Sequence, residues 1–250
     1  VLLAATVPSF MFLIESQKQW GWVKVCWVIA LVGVMYGLFL TGSRTGVIMG
    51  VVSILFFYRQ KGGNMLYFGL FAAILLAVML PLLGQDASIS ATDSTDVASR
   101  FASTENTRAV VWSAMWKGFM NNVVFGVPLR GDRLGYGENS WLAAGASLGL
   151  VGLIPLLMFG VECIRMMLRL NQICTVKPIY SLQCNTVIAA LISLMIGSIF
   201  EAFLLGNLTF ALMALLMYLS LGQYLIEFYF REKKYVLWQK KFQQAILSNN

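Results

Sequence analysis

Three charged residues stand at the edges of apolar segments, and their types fit one chemistry. Arg44 lies inside Gly42-Ser-Arg-Thr-Gly46, at the start of an apolar run. An arginine at the centre of a bilayer costs about 3 kcal/mol or more, so such a residue faces a cavity or a partner. Nearer the interface it can snorkel to water, which is the simpler reading. The flanking glycines and hydroxyls, Ser43 among them, open the backbone around the guanidinium. Such a cluster suits an anion, and a diphosphate above all, because arginine binds it as a planar fork.

Arg108 is the second. On a helical wheel Asn106–Asn122 gathers Val111, Trp112, Met115, Trp116 and Phe119 on one arc, with Lys117 and Asn121 opposite. Arg108 falls in the middle of the apolar arc. That placement suits closure over a charged ligand, or a cation stacked on Trp112 one turn on. Glu138 is the third. It follows the Gly-rich turn Gly131-Asp-Arg-Leu-Gly-Tyr-Gly137 and stands beside Asn139, just ahead of an apolar segment. A partly desolvated carboxylate moves its pKa toward neutrality and can act as a general base. The plainer alternative is an acid at a helix N-terminus. Arg130, Asp132 and Arg133 lie in the same turn, and Glu201 is a second carboxylate for the same face. The chain has no histidine, which removes imidazole catalysis and the usual zinc sites. Neither a metal nor an organic cofactor is expected.

The elements that must carry these residues are membrane helices. Of the 250 residues 59% are hydrophobic and 12% charged, and the mean hydropathy is +0.76. Soluble domains carry about 25% charged residues. The apolar runs are continuous and not alternating, which points to an all-α polytopic fold. About seven spans are expected. They are Val1–Ile14 as the end of a span, Val25–Leu40, Val47–Tyr58, Met65–Leu83, Trp141–Ile164, Thr186–Phe200 and Leu204–Tyr229. The chain begins on Val1 inside an apolar run and reads as the C-terminal piece of a longer protein. The net charge of +7 is spread over short inter-helix segments and the tail, so nucleic acid is not an expected partner. The four cysteines, Cys26, Cys163, Cys174 and Cys184, have no metal-ligand spacing and read as inert thiols.

Alternating the spans puts twelve of the eighteen basic residues on one side, from Lys18, Lys24 and Arg59 to Arg165, Lys177 and Arg231. The positive-inside rule makes that side cytoplasmic. The division is then 1–84 transmembrane helices, 85–140 an extracytoplasmic loop with short helices and the site residues, 141–230 transmembrane helices, and 231–250 a basic amphipathic tail along the inner leaflet. Arg165–Pro178 reads as a basic linker.

At these residues the chain resembles the O-antigen ligase and O-antigen polymerase superfamily of bacterial membrane glycosyltransferases. The matching pieces are Ser43-Arg44-Thr45-Gly46, Thr107-Arg108-x-x-x-Trp112, and Glu138-Asn139-Ser140-Trp141-Leu142 leading into Gly149-Leu150-Val151-Gly152. Where the family often has His-Asn-x-x-Leu, this chain has Glu138 in the histidine's place. The resemblance implies a protein of the bacterial inner membrane, working at its periplasmic face. It implies transfer of a glycan from a polyprenyl diphosphate-linked donor to a hydroxyl of a glycan or lipid-linked acceptor, with inversion and without metal. Arg44 and Arg108 would hold the diphosphate and Glu138 would take the acceptor proton. Ser43, Trp112, Arg130, Arg133 and Asn139 would line the substrate. Other polysaccharide-assembly membrane proteins are candidate partners. A transporter or flippase of lipid-linked glycans is the competing class. It would place charges deep in several spans or show an inverted repeat, and neither is visible.

Overall fold

The computed structural model describes residues 2–17, 21–41, 43–60, 107–127, 139–205 and 209–248. The expected span Met65–Leu83 and most of the 85–140 loop lie outside the described residues. Within them the fold is all-helical: α1 Leu2–Ser16, α2 Trp22–Leu40, α3 Arg44–Tyr58, α4 Thr107–Asn121, α5 Ser140–Val176, α6 Ser181–Phe200 and α7 Phe210–Ser248. A single 3-10 turn, Pro178–Tyr180, joins α5 to α6. Among the described residues four segments are long and apolar enough to cross a membrane: Trp22–Leu40, Ser140–Val176, Pro178–Phe200 and Phe210–Val236. α1 and α3 are shorter, at 15 residues each.

α6 is the axis of the bundle, packed on by α1, α3, α5 and α7. Cys184, Val187, Ala189, Ala190, Leu191 and Leu194 are fully buried. Because most of its surface is enclosed by other helices, α6 can carry small polar groups. Ser193 Oγ donates to the carbonyl of Met49 on α3 at 3.0 Å, which satisfies the hydroxyl inside the core. α2 is the opposite case. Among the described residues it packs chiefly on α1 and α3, and Trp22, Ile29, Val32 and Tyr36 are exposed along it.

At the Ser181 end of α6, Arg59 Nη2 donates to Asn171 Oδ1 at 2.8 Å, which ties the end of α3 to α5. Lys177 pairs with Glu232 of α7 at 2.5 Å, and the Tyr180 hydroxyl donates to the same carboxylate at 3.0 Å. The link between α5 and α6 is thereby fastened to α7.

Three boundaries differ from the expectation. The stretch read as a basic linker, Arg165–Pro178, is helical as far as Val176. Its Leu170, Ile173 and Cys174 recur at helical spacing and are buried against α6, so packing outweighs its polar composition. Residues 201–205 are bends, and α7 starts at Phe210 instead of Leu204. Finally, α7 runs on to Ser248 without interruption, so the basic tail continues the helix and is no separate element. No glycine or proline follows Gly222 to stop it.

Candidate functional site

The ends of four elements meet at the Phe200 end of α6. Met49 of α3 lies against Ser193 and Gly197, while Gln60 just past the other end of α3 accepts from Asn185 near the start of α6, so α3 runs antiparallel to α6. Arg44 is five residues before Met49, about 7.5 Å further along the axis. Its backbone therefore opens α3 beside the end of α6. Ser43 is the N-cap of that helix, and its Oγ accepts from the amide of Gly46 at 3.2 Å. The hydroxyl read as a substrate contact is thus engaged in capping, which follows from its extended backbone just ahead of the first turn. Thr45 beside it is buried.

α4 reaches the same place through Trp112, whose ring lies 6.4 Å from Phe200 between centroids. Trp112 and Val111 pack with Leu142 and Leu205 around buried Met115, Ala143 and Ala146. The expected apolar arc is realised only in part, because Trp116 is 51% exposed. Trp112 Nε1 is a buried donor with no hydrogen-bond partner among the described residues. Arg108 lies one turn before Trp112 on α4.

The third element is the start of α5. Asn139 is buried and caps the helix, its Oδ1 accepting from the amides of Trp141 and Leu142, both at 2.9 Å. The resemblance makes Asn139 a substrate contact; in the fold its Oδ1 is engaged in this cap. Ser140, which the sequence reading left unassigned, is the knot of the region. Its Oγ donates to the carbonyl of Glu201 at 2.7 Å and accepts from the amide of Leu204 at 3.2 Å. Trp141 Nε1 donates to Ser198 Oγ at 2.9 Å. The ring of Trp141 fills the space over Gly160, where an added Cβ would come within 2.8 Å of it. Hydroxyl and indole together fix the first turn of α5 to the end of α6. Glu201 is half-buried at the C-terminus of α6. The signal available in the sequence for Ser140 was its place between a capping residue and a tryptophan at a helix start.

The side chains of Arg44 and Arg108 lie outside the described residues, as do Arg130, Arg133 and Glu138 entirely. What the structure brings together is the backbone of Ser43-Arg44, the Arg108–Trp112 turn, Asn139-Ser140-Trp141 and Glu201.

Beyond this meeting point α5 is not one continuous helix. Gly149 has φ 62° and ψ −155°, which breaks it into Ser140–Leu148 and Leu150–Val176. The turn that leaves α4 closes against the break. Leu150 N–H donates to Val123 O at 2.8 Å, Val151 N–H to Val124 O at 3.3 Å, and Val127 N–H to Ala146 O at 2.8 Å. The expected single span Trp141–Ile164 is therefore a short helix, a break and a longer helix. The break exists because two backbones approach so closely there that a side chain would not fit: a Cβ on Gly149 would stand 2.4 Å from Val124 O.

Fold and site together define a polytopic helical membrane protein with several helix ends gathered at one end of its bundle. No family model, curated protein or solved structure matches the chain.

Proposed function

We propose that this chain is a membrane glycosyltransferase of the O-antigen ligase and polymerase kind. It would move a glycan from a polyprenyl diphosphate-linked donor to a sugar hydroxyl at the periplasmic face of a bacterial inner membrane. The Phe200 end of α6 is then the periplasmic end, and 85–140 the large loop over it in a bundle of about seven spans. The observation that carries the reading is the convergence described above. Four motifs up to 158 positions apart in the chain, from Ser43 to Glu201, arrive at one end of α6. Three of them open helices, at Arg44, Thr107 and Ser140. Helix N-termini carry partial positive charge, and with two arginines they make a setting for a diphosphate.

In this mechanism Arg44 and Arg108 hold the diphosphate and stabilise it as it departs, a role worth about 3–4 kcal/mol per oriented donor. Glu138 takes the proton of the attacking hydroxyl, for roughly 10²–10⁴-fold. Trp112, Arg130 and Arg133 position the sugars. Attack opposite the diphosphate inverts the anomeric carbon. The electron pair of the broken glycosyl–oxygen bond leaves with the polyprenyl diphosphate.

The test uses purified full-length protein in phospholipid vesicles with a defined polyprenyl diphosphate-linked glycan. Wild type should release polyprenyl diphosphate and extend the acceptor. Arg108→Lys keeps the charge but loses the fork, and should fall by at least tenfold at unchanged protein abundance. Release of diphosphate absent in wild type, or full activity in Arg108→Lys, would overturn the assignment.

A further inference from the structure

We propose that the tip made by the 122–127 turn and the break at Gly149 is immersed in hydrocarbon, in the membrane leaflet at the Phe200 end of α6. The tip presents Val123, Val124 and Phe125 from the turn and Leu148, Leu150 and Val151 from the break, all exposed, with Phe125 at 77% and Val151 at 58%. Six apolar side chains on an aqueous surface would be a liability. In lipid they are in their own solvent.

Three further observations favour acyl chains over a protein partner. The first is the state of the backbone. A turn in water can leave its amides and carbonyls to solvent, whereas one in hydrocarbon must satisfy them internally. At this tip the amides of Gly126, Val127, Leu150 and Val151 all donate to backbone carbonyls, at 2.8–3.3 Å. Second, the apolar exposure is not confined to the tip, although Asn121 and Asn122 border it on the α4 side. It runs on down α5 through Ile154, Met158 and Val161, spaced as one helical stripe. Third, the lengths fit. α5 carries no charged residue from Ser140 to Val161. Leu150 to Arg165 is 15 residues, about 22 Å of helix, within the roughly 30 Å of hydrocarbon. Lys117 and Asn121, both exposed and one turn apart on α4, mark the headgroup side of that helix. α4 then lies at the interface and the turn dips from it into the leaflet. The inference does not depend on the proposed transfer reaction.

The experiment places a nitroxide at residue 125 by F125C in a C26S background, since the other three cysteines are buried. The full chain is reconstituted in phosphatidylethanolamine–phosphatidylglycerol vesicles. Collision of the label with oxygen and with a water-soluble nickel chelate is read by continuous-wave spin resonance. High oxygen and low nickel collision is expected, with the preference reversed several-fold for a label at Ser16, the exposed end of α1. V151C provides a second label on the other strand of the tip if F125C fails to insert. Nickel access equal to that at Ser16 would place the tip in water. Low collision with both reagents would place it against another protein. Either result overturns the proposal.

Discussion

Replacing Gly149 by alanine separates a broken helix from a continuous one by the sign of the effect. In an ordinary helix interior, glycine to alanine stabilises by about 1 kcal/mol. Gly149 has φ 62° and ψ −155°, a region that only glycine occupies readily, and forcing another residue there costs about 1–3 kcal/mol. The new Cβ would also lie 2.4 Å from Val124 O and 2.6 Å from the amide nitrogen of Gly126. Both neighbours are backbone atoms held in the hydrogen-bonded turn, so the overlap can be relieved only by parting the turn from α5. Losing one or two of those bonds adds about 0.5–1.5 kcal/mol each. Together the penalties come to about 1.5–6 kcal/mol, a factor of roughly 10 to 10⁴ in the opening equilibrium of the α4–α5 contact. Unfolding titration in bicelles, with hydrogen exchange read at residues 123–127 and 146–151, measures both the global and the local loss. Gly33→Ala is the control, since a Cβ there meets nothing within 4 Å inside α2. It should be neutral or slightly stabilising. Gly149→Ala as stable as wild type, or more so, would refute the broken helix and the tip built on it.

Two other outcomes follow from the packing. Ser140→Ala removes the hydroxyl bonded to the Glu201 carbonyl and the Leu204 amide at a fully buried position and should cost about 1–3 kcal/mol. Exchange of the Leu204 amide should rise at least tenfold, while exchange at the Ser181 end of α6 stays unchanged. Lys177 titrates above the ordinary lysine value of 10.5, chiefly because it donates a hydrogen bond to Glu232. Its folded pKa exceeds the unfolded one, so its contribution is complete below that ordinary value and is lost as pH rises through the raised value. The thermal midpoint of wild type should therefore fall as pH rises above 10.5, and Glu232→Gln should flatten that fall. An equal slope in the two proteins would refute the pairing.

The sequence made the helices legible wherever lipid or capping chemistry decides them. Val25–Leu40 is α2 to within a turn. The Thr41–Gly46 interruption is where α3 starts, with Ser43 as its cap. It was less informative where tertiary contact decides. Gly145, Gly149 and Gly152 look alike in the sequence, and only the approach of the Val124 backbone singles out Gly149. The Arg165–Val176 stretch looked like a linker because its charges line one face, while Leu170, Ile173 and Cys174 line the face that binds α6. Of the candidate site, the meeting of its motifs at one end of α6 is a matter of helix direction and packing. Residue types alone cannot encode it. Ser140 does not stand out in the sequence because a serine at a helix start usually satisfies its own helix. Here its hydroxyl reaches a segment 61 positions away.

The central place of α6 also sets an order of events during synthesis. Its Ser193 meets the Met49 carbonyl of α3 across 144 positions of chain. At about 5–20 residues per second, α3 waits roughly 7–29 s for that partner. During the wait Thr45, Ser53 and the later-buried face of α3 lie against lipid or other helices. Hydroxyls and glycines tolerate such an interval, whereas an unpaired charge on that face would tend to expel the helix before its partner emerged. The composition of α3 is thus constrained by its nascent surroundings as well as by its final ones.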